Sequence, residues 1–278
     1  MPKKKVSLKV LLYLSLISFF VTTILSGCKE LFPNTPNSKS NGLVWQSTEN
    51  GLEYYEMSAK NKDFIVIKLD PKILQLNIQE NPAPPDNLSI FQIHKKQDSL
   101  LTFNGIFFTE KYNPTGLIIS EKKTIHPLSS ANLLNGILTI NKNHEAEIFS
   151  YDDFKKQTTK EKDTIEFAIQ NGPLLIYQNE IQTKTDTRKK ASRTAIGIDT
   201  QGKIIVIILK QSLINFDNTL SLYEFAHLLV ENTTLNALNL KSLLNLDGGP
   251  STGLAIGERY FPEIEKVQNV VITKKRNS

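Results

Sequence analysis

The sequence predicts a single α+β domain in which mixed β-sheets outweigh a few helices. From Gly42 onward, short segments rich in β-branched and aromatic residues recur between turn signals. Only one segment, 221–231, shows a strong helical repeat of apolar residues. Residues 42–278 contain neither an internal repeat nor a second composition regime, so we expect one domain there.

Residues 1–28 have the layout of an export signal. A lysine-rich head precedes an apolar run, Val10–Ile24, which is shorter than the roughly 20 residues that a membrane-spanning helix needs. Leu-Ser-Gly-Cys follows at 25–28 and resembles the lipobox of bacterial lipoproteins, in which the cysteine is acylated. Because Cys28 is the only cysteine, we predict a lipid on Cys28 and a domain without disulfides.

Residues 29–41 predict a flexible tether between the lipid and the domain, because they are rich in Pro, Asn, Ser and Lys and show no periodicity. Lys29 directly follows the cysteine, which in lipoproteins of bacteria with two membranes indicates the outer membrane. We therefore expect an exported protein that is anchored to a bacterial membrane through the lipid.

The net charge of +5 does not predict a nucleic-acid partner. Four of the 33 basic residues and none of the 28 acidic residues lie in 1–28, which leaves 29 bases against 28 acids, or about +1, after the signal. No excess of basic residues remains to bind nucleic acid.

The first half of the domain predicts strands, one short helix and a hairpin. Strand-like segments flank Pro71 and are expected to be neighbours in a sheet. The expected elements are strands at 64–70 and 73–80, a helix at 89–97 with Ser89 as its N-cap, a strand at 100–108 that runs into a glycine turn, and a hairpin at 136–150.

The second half of the domain adds strands and the one strong helix. The helix 221–231 begins with the capping box Ser221 and Glu224. The expected strands are 165–177, broken at Gly172-Pro173, a hairpin at 193–210 with a fully buried second arm, a strand at 243–247, and final strands at 253–261 and 270–275.

Polar residues stand beside glycine where three apolar strands end. Each pair alone is typical of an ordinary turn. Three such points, together with an arginine that opens an apolar strand, favour a shared polar site with glycines that let a ligand approach the backbone. The residues are Asn104-Gly105, Gln170-Asn171-Gly172, Asp247-Gly248-Gly249 and Arg193.

The sequence gives weaker support to two other kinds of site, a serine nucleophile and a metal centre. Gly249–Gly253 fits the G-x-S-x-G pattern of serine hydrolases, with Ser251 as nucleophile, but a strand-like segment and not a helix follows, and no histidine occurs after His227. The four histidines have no partners at ligand spacing, so neither a metal nor another cofactor is expected. Glu110 is read as an exposed loop acid, with a second catalytic carboxylate as the less favoured interpretation.

A specific resemblance covers roughly residues 60–260. The segments NGIFF, PTGLIIS, IQNGPLLI, RTAIGID and ALNLKSLLNLDGGPST occur in the order and spacing of the phosphodiester glycosidase family. The sequence departs from the family pattern at Ile106, where a second glycine is usual, at Asn171, where a small residue is usual, and at Pro250 and Thr252. The resemblance implies a domain that removes N-acetylglucosamine from a phosphodiester-linked sugar.

The residue types suit that chemistry. Asp247 is expected to act as a water-activating base or as a nucleophile, and Arg193 to hold the phosphate with a two-pronged hydrogen bond. The N–H groups of Gly248 and Gly249 would add an anion-binding nest. The remaining expected substrate contacts are Asn104, Gly105, Gln170, Asn171, Gly172, Ser251 and Thr252.

The sequence thus predicts a lipid-anchored hydrolase that cleaves the glycosidic bond of an N-acetylglucosamine-type sugar-1-phosphodiester in the cell envelope. Two alternatives stay open at this point. One is an envelope glycan-binding module without turnover, and the other is a serine esterase that uses Ser251.

Overall fold

Eighteen β-strands arranged in three sheets are the main regular structure of the described chain, and the strand pairs are antiparallel. The structure is a computed structural model that describes residues 45–209 and 217–276. These residues belong to one compact unit, 42–278. The predicted export signal, the tether and Cys28 lie outside the described residues. None of the helices within the described ranges has the length and apolar character needed to cross a membrane.

The largest sheet has eight strands in the spatial order β1-β2-β3-β14-β13-β15-β11-β12. Its two central strands, β13 and β14, are buried along their whole length, as expected from the apolar runs of the hairpin 193–210. The strands are β1 Gln46–Glu49, β2 Leu52–Ala59, β3 Lys62–Leu69, β11 Leu174–Tyr177, β12 Glu180–Ile181, β13 Thr194–Asp199, β14 Ile204–Leu209 and β15 Leu240–Asn245.

Two five-stranded sheets complete the β-structure. The second sheet has the order β7-β6-β10-β8-β9 and the third has the order β17-β16-β5-β18-β4. The second consists of β6 Ile118–Ser120, β7 Lys123–His126, β8 Gly136–Asn141, β9 Ala146–Ser150 and β10 Ile165–Asn171. The third consists of β4 Leu74–Glu80, β5 Leu101–Asn104, β16 Leu254–Ile256, β17 Arg259–Phe261 and β18 Asn269–Lys275.

The main hydrophobic core lies between one face of the eight-stranded sheet and the two smaller sheets. Ile67 and Ile196 from the large sheet join one buried cluster with Phe103 from the third sheet and Ile169 from the second. Each of these side chains is fully buried, and burial of such a side chain contributes about 1.5–3 kcal/mol to the free energy of unfolding. The three sheets therefore hold one another in place through a shared core.

The helices cover the outer faces of the sheets. The predicted capping box of Ser221 and Glu224 is present at the start of α4, whose Phe225 and Leu229 pack on the outer face of the large sheet. A smaller helix, α1, packs on the third sheet, and α2 packs on the second. The helices are α1 Ile90–Gln97, α2 Tyr151–Lys156, α3 Thr159–Lys162, α4 Leu222–Glu231 and α5 Thr233–Asn236.

The predicted fold class is confirmed, but one predicted pairing is wrong. The strands on either side of Pro71 are not neighbours, because β3 pairs with β2 and β14 while β4 pairs with β18. A turn at Asp70, whose carbonyl accepts from Ile73 N (3.1 Å) and Leu74 N (2.9 Å), carries the chain from the large sheet to the third sheet. Apolar patterning identified both strands but did not identify which sheet each one joins.

Candidate active site

Asp247 lies where strands of the first and third sheets come together, two residues beyond the end of β15. Its backbone N–H donates to Gly105 O (3.2 Å), and its carbonyl accepts from Asn104 Nδ2 (2.6 Å). One residue earlier, Leu246 N donates to Thr194 O (2.9 Å) at the start of β13. The backbone at Asp247 is thus fixed between the end of β5 and the beginning of β13.

The carboxyl group of Asp247 is partly buried and titrates far above its ordinary range. Burial, together with the smaller effect of the nearby charge of Glu265, raises the pKa of Asp247 to about 6. Hydrogen bonds from the Ser251 side chain and the Gly248 N–H (2.9 Å) act in the opposite direction and lower the pKa. A carboxylate with a pKa near 6 is mostly ionised at neutral pH and is still basic enough to accept a proton during a reaction.

Asn104 positions the main chain at Asp247. Its side chain is fully buried. The Nδ2 group donates to Asp247 O, and Oδ1 accepts from Thr194 Oγ1 (2.8 Å) and Gly253 N (3.2 Å). Both ends of the amide are therefore used inside the protein, and a substrate contact of Asn104 stays a prediction.

Gly105 is required by close packing. A Cβ at this position would lie 1.9 Å from Asn269 Oδ1. Asn269 in turn accepts from Ile106 N (2.8 Å) and donates to Ile106 O (3.2 Å), so one side chain pairs with the backbone like a neighbouring strand. We had not predicted a role for Asn269, although it is a polar residue at a strand end like the three that we had singled out. Gly105 makes room for this contact, and its expected substrate contact stays a prediction.

Gln170 also serves the fold. Its fully buried side chain makes four hydrogen bonds to backbone groups. Oε1 accepts from Leu117 N (3.0 Å) and Ser129 N (2.9 Å), and Nε2 donates to Ser129 O (2.7 Å) and Leu134 O (2.7 Å). All four hydrogen-bonding positions of the amide are used inside the protein, and the substrate contact expected of Gln170 stays a prediction.

Asn171 and Gly172 join the second sheet to the first. Asn171 Oδ1 accepts from Phe107 N (3.1 Å), and Nδ2 donates to Asn245 O (2.9 Å) on β15. A Cβ on Gly172 would lie 1.9 Å from Leu133 O. Both residues are buried and both support this junction, and their expected role as substrate contacts stays a prediction.

Arg193 braces the loop that precedes β13. The register of β13 and β15, in which Ala195 pairs with Asn245, would place Arg193 opposite Asp247 if it were continued. The guanidinium instead donates from Nε to Leu220 O (2.8 Å) and from Nη2 to Lys189 O (2.6 Å). No ion pair between Arg193 and Asp247 is recorded in the described chain. The guanidinium thus supports the fold in this structure, and its expected role in holding the phosphate stays a prediction.

The two glycines after Asp247 do not form an open anion-binding nest. Gly248 N donates to the Asp247 carboxylate, and Gly249 N donates to Ser192 O (2.8 Å). A Cβ on Gly248 would lie 2.9 Å from Ser192 O, and Gly249 has a φ of 60°, which favours glycine. The glycines thus allow the turn to lie against the Ser192 backbone. Both N–H groups are hydrogen-bonded within the protein here, and an anion-binding nest at this turn stays a prediction.

A sequence model of the phosphodiester glycosidase family matches residues 98–276, which is more than half of the chain. The chain belongs to the phosphodiester glycosidase family. The match includes every predicted site residue of the domain, from Asn104 to Thr252. No curated protein matches the chain.

Two solved structures share the fold of this glycosidase-family domain. The catalytic domain of zebrafish N-acetylglucosamine-1-phosphodiester alpha-N-acetylglucosaminidase, auto-inhibited by its pro-peptide, is 18% identical with a TM-score of 0.60, covering 83% of this chain and 86% of that chain. A hypothetical protein from Synechocystis is 15% identical with a TM-score of 0.60. That alignment covers 82% of this chain but only 62% of the Synechocystis chain. At these identities the likeness concerns the fold.

Ser251 in this family member is a partner of Asp247. It lies in a 3-10 turn, Gly249–Ser251, which is followed by the strand β16 and not by the helix of a nucleophile elbow. Its side chain hydrogen-bonds the Asp247 carboxylate. Thr252 is 5% exposed, and its Oγ1 has no hydrogen-bond partner among the described residues. A substrate contact of Thr252 stays a prediction.

The recorded contacts of the histidines lie away from Ser251. His94 is buried and uses its ring nitrogens for Thr102, Ser99 and the carbonyl of Gly257. His126 contacts Gly116 O, His144 contacts Glu166 and His227 contacts Glu231. Within 45–209 and 217–276, no group of three or more metal-binding side chains is arranged to hold a metal ion.

Glu265 is a carboxylate near Asp247 that the sequence did not reveal. Its backbone N–H and that of Ile264 both donate to Pro250 O (3.0 and 2.8 Å), which holds the loop 262–266 on the turn that contains Ser251. Glu265 is exposed, and its charge acts on Asp247. No strand or glycine pattern marks this loop, so only the folded chain brings the two carboxylates together. Glu110 lies exposed in a turn, as predicted.

Proposed function

We propose that this domain hydrolyses the glycosidic bond of a sugar-1-phosphodiester of the N-acetylglucosamine type. The observation that carries the proposal is the state of Asp247. It is a partly buried carboxylate with a pKa near 6 at the end of an apolar strand, in a chain of the phosphodiester glycosidase family. Keeping such a charge in a partly buried position is unfavourable for folding, which is typical of catalytic groups.

In the proposed reaction the bond between the sugar C1 and the phosphate oxygen breaks. Water supplies a hydroxyl group to C1, and the aglycone leaves as a phosphate monoester that carries the bonding electron pair. Asp247 either accepts the proton of the attacking water or attacks C1 itself and is then released by water. Because a phosphate monoester is a far better leaving group than an alcohol, the need for a strong general acid is smaller than in ordinary glycosidases.

The neighbours of Asp247 have distinct positioning roles in this proposal. Asn104 fixes the main chain at Asp247 through a 2.6 Å hydrogen bond. Gly248 and Ser251 hydrogen-bond the carboxylate and oppose the effect of burial on its pKa. These contacts keep the group ionised and oriented at neutral pH, when it acts as a base or a nucleophile.

The test is turnover of an α-N-acetylglucosaminyl phosphodiester in ¹⁸O-labelled water. Incorporation of the label into the sugar supports the proposal, and incorporation into the phosphate would show a phosphodiesterase instead. The variant Asp247→Asn should lose at least about 10²-fold in kcat, while the matched control Glu110→Gln in an exposed turn should keep wild-type turnover. Tight binding of the diester without turnover by the wild type would favour the glycan-binding alternative.

The serine esterase alternative is separated by covalent labelling. A fluorophosphonate reacts with an activated serine, so labelling that Ser251→Ala abolishes would support that alternative. We expect no such labelling, because Ser251 is a hydrogen-bond partner of Asp247 and no recorded contact joins it to a histidine.

We also propose that the protein is exported and lipid-anchored through Cys28, on the basis of the lysine-rich head, the short apolar run and the single cysteine of the signal. Cys28→Ser should leave an unprocessed precursor that incorporates no labelled fatty acid. Normal processing and acylation of this variant would contradict the proposal.

A further inference from the structure

A phosphodiester substrate brings a negative charge to a site whose own groups are acidic. Asp247 and Glu265 are both carboxylates. The groups expected to hold the phosphate make hydrogen bonds inside the protein, namely Nε and Nη2 of Arg193 and the N–H groups of Gly248 and Gly249. Arg193 supplies only one positive charge against two carboxylates, so further positive charge near the turn would help to bind a phosphodiester.

A basic segment, Lys184–Lys190, supplies such charge. It contains four basic residues and one acid in the sequence KTDTRKK. This is a local concentration in a chain whose bases and acids nearly balance after residue 28. Every side chain of the segment is exposed. Its single acid, Asp186, accepts from the backbone N–H of Arg188 (2.8 Å) and hydrogen-bonds Ser221.

The basic segment is attached firmly beside Asp247. At its end, Ala191 and Leu220 exchange two backbone hydrogen bonds (3.1 and 3.0 Å), and Arg193 donates to Lys189 O. The next residue, Ser192, accepts from Gly249 N (2.8 Å). The segment therefore leads directly into the turn that follows the candidate catalytic carboxylate.

The basic segment keeps a net positive charge. Lys190 forms an ion pair with Glu224 (3.2 Å) on α4, and the charge of Arg188 interacts with Asp186 of the same segment. Within residues 45–209 and 217–276, Lys184 and Lys189 form no ion pair with a carboxylate. With four bases against one acid, the segment creates a positive potential that attracts phosphate groups.

We propose that the basic segment binds the phosphate-bearing aglycone of the substrate, with Lys184, Arg188 and Lys189 as its cationic contacts. The inference rests on the proposed function and adds these side chains to the phosphate contact that is predicted for Arg193. An aglycone with further phosphates should bind better than one with a single charge.

The experiment compares the full chain with two triple variants that remove the same charge. The test variant is Lys184→Gln/Arg188→Gln/Lys189→Gln, and the control variant is Lys96→Gln/Lys142→Gln/Lys160→Gln at exposed positions elsewhere. Values of kcat/KM are measured for three α-N-acetylglucosaminides whose aglycones are 4-nitrophenol, methyl phosphate and 2-phosphoethyl phosphate. Circular dichroism and Tm verify folding of all three proteins.

The preference for the doubly phosphorylated aglycone is the ratio of its kcat/KM to that of the 4-nitrophenol substrate. We expect this ratio to be about tenfold lower in the test variant than in the wild type, because several exposed charge contacts are lost together. The preference should also weaken with added salt, because exposed charges are screened. The control variant should keep the wild-type preference. An equal preference in the test and control variants would overturn the inference.

Binding separates failure of this inference from failure of the proposed function. Titration of Asp247→Asn with the methyl phosphate diester, with and without the triple substitution, reports phosphate binding even if no glycoside is hydrolysed. A loss of affinity only with the basic-segment substitutions supports the inference. If the triple substitution leaves the affinity for the diester unchanged but abolishes binding to vesicles of phosphatidylglycerol and phosphatidylcholine, the segment binds the membrane surface and the inference is overturned.

Discussion

Removing the charge of Asp247 should stabilise the protein while it abolishes activity. The pKa of Asp247 is about 6 in the folded chain, against an ordinary value of 3.8. A carboxyl group with a raised pKa binds protons more tightly when folded, so its contribution to stability is greatest in acid and declines as the pH rises towards and beyond 6. A difference of about two pKa units corresponds to roughly 3 kcal/mol of destabilisation at neutral pH.

The increase in the free energy of unfolding that we expect from Asp247→Asn is smaller than this value of about 3 kcal/mol. The amide loses the charge-assisted part of the hydrogen bonds from Gly248 and Ser251, for which we subtract about 1–2 kcal/mol. A net stabilisation of about 1–2 kcal/mol remains, which for a domain of this size raises Tm by roughly 3–6 °C.

The assay is thermal unfolding of the wild type and Asp247→Asn, followed by circular dichroism at about pH 7.5 and about pH 4. We expect the variant to be more stable at the higher pH and nearly equal to the wild type at the lower pH, where the wild-type carboxyl group is protonated. Asp86→Asn changes an exposed carboxylate in the same way and serves as the control. A variant that is less stable at the higher pH, or a difference that does not depend on pH, would refute the reasoning.

Three further predictions concern the neighbours of Asp247. Glu265→Gln removes a charge that raises the pKa of Asp247, so the acidic limb of the kcat/KM profile should move to lower pH; an unmoved limb would show that Glu265 does not act on the catalytic group. Ser251→Ala removes a hydrogen bond that lowers this pKa, so the limb should move to higher pH and activity should fall roughly fivefold; complete inactivity would restore the serine alternative. Arg193→Lys loses the fork that reaches Leu220 O and Lys189 O, so the free energy of unfolding should fall by about 1–2 kcal/mol. Normal stability in denaturant titrations, with lost diester turnover, would return Arg193 to the substrate.

The elements of the fold were predictable where local chemistry determines them. Ser221 and Glu224 begin a helix because each side chain satisfies the backbone N–H of the other. The hairpin around His144 follows from a polar turn between two apolar arms, and His144 has a φ of 62° in that turn. Interactions of this kind extend over a few residues, so they can be read from the sequence.

The site was predictable in its location but not in the roles of its residues. Asp247 and its glycines were recognised because a carboxylate at the end of an apolar strand is unusual. The same reasoning predicts that Gln170 contacts the substrate. Its hydrogen-bond partners Leu117 and Ser129, however, lie 53 and 41 residues away in the sequence. A polar residue at a strand end either faces a ligand or satisfies a distant backbone group, and only the packing of the sheets distinguishes these cases.

Because the side chain of Asn104 joins distant parts of the chain at Asp247, the activity of this protein would also report that folding is complete. Its amide joins Thr194, Asp247 and Gly253, which lie 90, 143 and 149 residues further along the chain. Contacts between such distant residues form late, because closing long loops of chain is entropically unfavourable. A nascent or partly refolded chain with its local helices and hairpins already in place would still lack a positioned Asp247. Catalysis therefore requires contacts between the most remote parts of the sequence, and we expect the chain to be inactive until its folding is complete.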